Sequence, residues 1–340
     1  MKILLVGGEF CRGSLCDSYL RAFKKLGHEV DYFDEVKEYK SVSKFTGQRY
    51  LNRLFEIYFI KLINKKLIQV VCDFIPDLCI IMKGQCISPN SLLEIKAKAK
   101  STLFNINTDN PFNKNRGASS GYVRKSLALF DCYFIWSKPL ILRLKEAGAR
   151  RVGYIPFGFD PIVHYPMAVS WQEKKMFSHD LVFVGNWDRE REEWFKGLEG
   201  FDLAIWGEDY WQERCKDKFL RERWQKKAMY GEDMSKVLNA SKISLNILRE
   251  QNKGSCNMRT FEAPACKAFV LAEKSLEAGE FFKEGKEAVY FSNPEELREK
   301  ANYYLKHDKE RENIAQAGYQ RCIESGYSYL DRAKQVLMAL

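Results

Sequence analysis

Short, nearly uninterrupted apolar runs alternate along this chain with longer stretches in which apolar residues recur every third or fourth position. KILLVG, DLCIIM, TLFNIN, CYFIWS and VGYIPFG are such runs in the first half, and LVFVG, FDLAIWG, ISLNI and AVYFSN in the second. Runs without polar alternation are apolar on both faces, as parallel strands covered by helices must be. Between KILLVG and EVDYFD, SLCDSYLRAFKKLG has helical spacing, Ser14 to cap its start and Gly27 to stop it, so the chain opens as a βαβ unit. LVFVG, a helix from about Arg189 to Gly197 and FDLAIWG repeat the scheme. The chain therefore reads as α/β with two domains: 1–160, a connector over 161–178 that takes up most of the polar run MAVSWQEKKMFSH, and 179–340, whose terminal helix from about Lys309 can cross back to the first domain.

From Phe45 to Cys72 the spacing predicts amphipathic helix, with Leu51, Leu54, Phe55, Tyr58, Leu62 and Ile63 on one face and Arg49, Arg53, Lys61, Lys65 and Lys66 on the other. Such a helix can pack on a sheet or lie on a membrane surface. Charge sharpens that choice. Residues 1–160 hold 26 Lys+Arg against 15 Asp+Glu and so carry all of the net +10. A basic domain attracts anionic surfaces, whether lipid phosphate, acidic glycan or nucleic acid, although excess lysine also serves solubility.

With 340 residues, 46% of them hydrophobic and 29% charged, the chain can bury two cores and is not disordered. No apolar run approaches the roughly 20 residues of a membrane span. MKILLVGG reads as a first strand rather than a signal peptide, which puts the expected location in the cytoplasm, with the inner membrane face within reach of the basic half. The ten cysteines are scattered without a CxxC pair and fit core positions in a reducing compartment; four histidines make a zinc site an unfavourable reading, and none is expected.

Candidate chemistry concentrates in GSCNMRTFEAPACKAFVLAE, residues 254–273. The small polar turn (Gly254, Ser255, Asn257) opens a short helix, and backbone N–H groups at a helix start favour phosphate. Arg259 adds a planar charge for phosphate oxygens, and Glu262, three residues on, shares its face and can accept hydrogen bonds from a ribose diol. The two can equally form an ordinary surface pair. Arg189 and Arg191, in the WDRER loop after LVFVG, are further phosphate candidates. In the first domain Gly8 and Glu9 follow the first strand without the GxGxxG spacing of a dinucleotide fingerprint, and Asp109 follows TLFNIN, where open α/β sheets place their ligands. An aspartate before Asn-Pro also serves as a turn residue.

RTFEAPACKAFVLAE resembles the segment of GT-B glycosyltransferases in which a glutamate on a short helix precedes Ala, Cys and a buried strand, with the CgeB-like (spore-maturation type) family as the nearest likeness. TDNPF, YIPFGFDPIVHYP, VFVGNWDRER and EGKEAVYFSNPEELREKANYYL follow in the family's order, so the resemblance covers most of the chain. It implies two Rossmann-like domains facing each other across a cleft, a UDP-, GDP- or dTDP-sugar donor on the second, and a glycan, protein or lipid-linked acceptor on the first. It nominates Tyr230 and Gly231 for the nucleobase. Asp109 or Glu9 would be the base of an inverting reaction, and no DxD metal sequence is present. An epimerase of the same shape, or a non-catalytic binder of nucleic acid or anionic surfaces, are the alternatives. Two positions depart from the pattern: Gly254 stands where a retaining enzyme has a second glutamate, and Lys267 where many relatives have glycine.

Overall fold

The structure, a computed structural model, describes residues 1–43, 55–113 and 119–340. The chain divides into two compact units, Met1–Pro156 with Arg332–Leu340, and Phe157–Asp331.

The first unit is built on a sheet ordered β2-β1-β3-β4-β5-β6, formed by β1 (Lys2–Gly7), β2 (Glu29–Asp34), β3 (Leu78–Met82), β4 (Thr102–Asn107), β5 (Cys132–Ile135) and β6 (Val152–Tyr154). Every pairing is parallel. β3 is buried at all of its positions, whereas the edge strand β2 (EVDYFD) is largely open and carries three acids, which discourage further pairing. Its helices are α1 (Leu15–Lys25), α2 (Glu35–Ser43), α3 (Glu56–Phe74), α4 (Pro89–Ala99), α5 (Gly121–Lys125) and α6 (Leu140–Glu146). Ser14 caps α1 by accepting from the Asp17 N–H, as its position in the sequence predicts. Of the predicted Phe45–Cys72 helix, α3 realises the part from Glu56; Arg49, Leu51, Arg53 and Leu54 lie outside the described residues.

The second unit has a parallel sheet ordered β11-β10-β9-β7-β8, formed by β7 (Leu181–Val184), β8 (Leu203–Trp206), β9 (Ile243–Asn246), β10 (Val270–Glu273) and β11 (Val289–Phe291). The polar run expected as a connector is α7 (Trp171–Phe177), held by a capping box between Ser170 and Glu173, and it belongs to this unit. Polarity along the run marks an exposed helix face rather than a linker. Then come α8 (Arg189–Lys196), α9 (Tyr210–Arg214), α10 (Lys218–Arg223), α11 (Gly231–Ala240), α12 (Arg259–Ala265), α13 (Leu276–Phe281), α14 (Pro294–Lys306) and α15 (Asp308–Glu324), and α16 (Tyr329–Leu337) runs from the second unit into the residues grouped with the first. The terminal helical stretch is thus two helices separated at Gly326, which takes φ +69. Trp211 and Trp224 pack in the core with Phe183, Phe195 and Leu220. The Trp211 indole donates to Gly185 O at 2.9 Å, and Trp224 to Gly207 O at 2.8 Å, so both rings bury their area with the N–H satisfied. None of the ten cysteines is in a disulfide, and seven are buried.

Those indole bonds need bare backbone at the ends of β7 and β8. A Cβ on Gly207 would lie 2.3 Å from Gly185 O and 2.8 Å from the Trp211 indole nitrogen. Gly207→Ala is therefore expected to cost about 1–3 kcal/mol of stability in urea unfolding. An unchanged midpoint would mean that the strand ends spread freely.

Candidate functional site

The sheet of the second unit reverses direction of growth between β7 and β9, and such a switch point is where open α/β sheets bind ligands, beyond the strands' carboxyl ends. Arg191, predicted as a phosphate ligand, is instead buried at this point. Its guanidinium donates to Ile247 O at 3.0 and 2.8 Å and to Asn186 O at 2.8 Å, and lies over the Phe183 ring. It satisfies carbonyls that have run past the sheet, and that use leaves it no face for phosphate. Burial pushes its pKa down. Arg189, two residues earlier at the start of α8, is exposed.

Arg259 stands beside this brace. Its Nε donates to Val184 O at 3.2 Å, at the end of β7, while Nη1 is hydrogen-bonded to the Glu262 carboxylate. Glu262 is only 2% exposed, so the two are not a loose surface pair. Its second oxygen lies 3.7 Å from His164 Nε2. The Asp160 N–H donates to His164 Nδ1 at 3.0 Å, which places the ring proton on Nε2, the nitrogen facing Glu262. Sequence reasoning treated His164 only as a poor zinc candidate. Its signal was the Asp-Pro-x-x-His spacing, an Asx-type turn that folds the ring back on its own start: Asp160 Oδ1 accepts from the Ile162 N–H at 3.0 Å and Asp160 O from the His164 N–H at 2.7 Å.

The turn before α12 is more fully used than a phosphate cradle would be. Ser255 is buried, its N–H donates to Asn252 O and its hydroxyl pairs with the Glu277 carboxylate at 2.8 Å. Ser255 thus anchors the turn instead of offering donors outward. Asn257 caps α12 by accepting from the Thr260 N–H at 3.1 Å, and its amide donates to Asn246 Oδ1, at the end of β9, at 2.7 Å. A cavity of 420 Å³ opens against Gly254, Glu273, Lys274 and Ser275, at the carboxyl ends of β10 and its neighbours. Tyr230 precedes α11, is exposed, and donates its hydroxyl to Glu208; Gly231, at φ +53, is the first residue of that helix.

The end of α12 accounts for Lys267. Ala268 N–H donates to Ala263 O and Lys267 N–H to Pro264 O, the Schellman pattern, and Lys267 takes φ +59. That backbone conformation favours glycine.

In the first unit, Gly8 lies so near α2 that a Cβ would meet Val36 Cγ2 at 2.4 Å; its glycine is required by packing. Glu9, at φ +58, is exposed and 3.6 Å from Lys40. Asp109 is ion-paired with Lys83 at 2.5 Å, and its N–H is held by Asn107 Oδ1 at 3.0 Å. The residue that sequence reasoning missed here is Glu35, buried at the start of α2, where it accepts from the Cys86 N–H at 3.3 Å. Burial raises its pKa from 4.5 to about 7, against the opposing hydrogen bond from Cys86 and the charge of Lys83.

Residues 189–338 match the family model described as "Glycosyl transferase-like". No curated protein sequence matches the chain. Among solved structures, HepE from Anabaena in complex with UDP-glucose is similar over 100% of both chains, at 15% identity and a TM-score of 0.66. A glycosyltransferase from Rickettsia africae aligns over 99% of this chain and 97% of its own, at 13% identity and a TM-score of 0.68. Sucrose-phosphate synthase from Thermosynechococcus elongatus aligns over 99% and 97%, at 12% identity and 0.65. The fold is that of GT-B glycosyltransferases, two Rossmann-like bodies each with a parallel sheet.

Two outcomes follow. Lys267→Gly should raise stability by up to about 1 kcal/mol, since it relieves a left-handed non-glycine residue at some cost in unfolded-chain entropy; a loss of stability in urea unfolding would show that the lysine side chain holds the turn. Glu35 holds a proton in the folded chain between pH 4.5 and about 7 that the unfolded chain has released, so stability falls as pH rises through that window, by on the order of 3 kcal/mol in all. Glu35→Gln should flatten that fall in melts at pH 5 and pH 8, and an unaltered slope would assign it to other groups.

Proposed function

We propose that this protein is a glycosyltransferase that moves a sugar from a nucleotide-sugar donor to an acceptor hydroxyl, with the donor held by the second unit and the acceptor by the first. The observation that carries the reading is the Arg259–Glu262 pair, fixed on one turn of α12 between the end of β7 and His164, inside the segment that matches the glycosyltransferase-like model. HepE is in complex with UDP-glucose, which supports a nucleotide-sugar donor for a chain of the same fold. The order of motifs quoted above supports the narrower CgeB-like assignment.

In this reading Glu262 is the acceptor of ribose hydroxyl hydrogen bonds and Arg259 turns part of its guanidinium to the diphosphate, whose departing charge it stabilises. Glu262 is buried and Arg259 is held by Val184 and Glu262, so little is lost in ordering them when the donor binds. Arg189, at the start of α8, completes the phosphate side, with Asn257 capping α12 and Tyr230 and Gly231 toward the base. Ser255 supports the turn from beneath. In the first unit Asp109 and Glu9 remain the carboxylates proposed for an acceptor proton. Asp109 is ion-paired with Lys83, and Glu9 is the more open of the two. The acceptor is a glycan, a protein or a lipid-linked carrier. No helix among the described residues is long and apolar enough to cross a membrane.

Calorimetric titration with UDP, GDP, dTDP, ADP and CMP tests the donor site. Arg259→Ala should weaken the preferred nucleoside diphosphate by about 10- to 100-fold, the worth of a charge-assisted hydrogen bond, while leaving nucleoside binding nearly unchanged. Arg259→Lys should recover only part of it, because an ammonium lacks the planar fork. Equal losses for nucleoside and diphosphate would remove Arg259 from the phosphate, and no binding of any nucleotide would end the donor assignment. Transfer rather than epimerisation requires that free nucleotide appear only when an acceptor is present.

A further inference from the structure

The helices of the first unit enclose two cavities that the donor site does not use. One, of 630 Å³, lies between α2, the start of α3 and α5, with Glu35 and Tyr39 on one wall and Ser120, Tyr122 and Arg124 on the other. The second, of 680 Å³, lies between α3, α4 and α5. Ile60, Tyr122 and Lys125 line both, so the two are successive stretches of one groove that passes over α3. Each is within the roughly 300–1,000 Å³ of small-molecule sites, and together they exceed what one monosaccharide or one nucleotide needs.

The walls have a definite chemistry. Lys40 and Arg124 line the first stretch, Lys61, Lys65 and Lys98 the second, and Lys125 both. Among the described residues Lys61, Lys65, Arg124 and Lys125 form no ion pair, while Lys40 is 3.6 Å from Glu9 and Lys98 is 3.5 Å from Glu94. Spaced between these cations are groups that bond hydroxyls: Asn90 and the carboxyls of Glu35, Glu56 and Glu94. Tyr39 and Tyr122 add ring faces.

We infer that this groove binds an acidic oligosaccharide, a chain of hydroxyl-rich rings carrying carboxylate or phosphate groups at intervals, as the acceptor. Calling the ligand an acceptor rests on the transferase reading; that the groove binds an acidic glycan does not. A continuous phosphodiester would meet the carboxylates of Glu56 and Glu94 along its path, which repel it, whereas sugar hydroxyls hydrogen-bond to them. A bilayer surface is too flat to enter a groove walled by four helices. Intermittent anions with hydroxyls between them match the alternation of lysine, arginine and carboxyl along the walls. Burial keeps Glu35 largely protonated below about pH 7, so it is able to donate as well as accept.

The test is calorimetric titration of the full chain with hyaluronan hexasaccharide, which has a carboxylate on every second ring, against chitohexaose, which is neutral. The acidic hexasaccharide should bind about tenfold more tightly and lose affinity as salt rises. Arg124→Ala with Lys125→Ala, and separately Lys61→Ala with Lys65→Ala, should each weaken it by about 3- to 10-fold, the worth of two exposed ion pairs. Melting curves of both variants should stay within a degree or two of the wild type, because these side chains are exposed and form no ion pair among the described residues. Equal binding of the neutral chain, no binding of either, or a preference for phosphatidylglycerol vesicles or for poly(U) would overturn the inference. Titration of the same samples with the five nucleotides separates the two readings: binding of any nucleotide without hexasaccharide binding sinks the groove alone, and hexasaccharide binding with no nucleotide bound sinks the donor site alone.

Discussion

The carbonyl groups at the carboxyl ends of β7 and β9 have no further strand to pair with, and the second unit depends on how they are answered. Arg191 meets Ile247 and Asn186 from α8, and Arg259 meets Val184 from α12. A planar guanidinium suits this place because its donors diverge by fixed angles and reach carbonyls on two strands at once. The consequence is a division of labour. One arginine is consumed entirely by backbone, so that the other, tied by a single nitrogen, keeps a face for Glu262. The site is therefore built on the sheet's unfinished hydrogen bonding rather than added to a finished scaffold.

Most of the fold was legible because its signal is local. Uniform apolar runs such as LCIIM and LVFV became buried parallel strands, and Ser14 and Gly27 bounded α1 as capping rules demand. The stretch Met167–His179 misled, because a short exposed helix and a linker are equally polar; only the Ser170–Glu173 box told them apart. The site was legible in part. Arg259 and Glu262 declared themselves through helical spacing, but Arg191 has the same residue type in the same loop and goes inward. What separates the two is which carbonyls fall short of a partner, and that is a property of strand ends in space. Glu35 gave no local signal either. It follows Asp34 in a run of acids, and its burial comes from the Gln85–Cys86 loop, about fifty residues away in the chain.

Charge and burial act on different scales in the first unit. The surplus of lysine and arginine over residues 1–160 is a composition fact that sets a field around the whole unit, and a field of that kind draws in anions without choosing among them. Choice comes from the carboxyls set between the cations. Glu56 and Glu94 lower the net charge of the groove and so weaken non-specific attraction, and in exchange they exclude ligands whose negative charge is unbroken.

Gly254 is exposed at φ +76, and a Cβ built there meets nothing within 4 Å. Space is thus not what favours glycine at this position. The backbone is: a left-handed conformation costs an ordinary L-residue roughly 1–2 kcal/mol, and the Ser255 bonds to Asn252, Glu277 and Ser275 lock the next residue of the turn in place. A side chain at 254 is therefore a matter of backbone cost rather than of room, and it is a cost that Glu9 at φ +58 and Lys267 at φ +59 already bear in this chain.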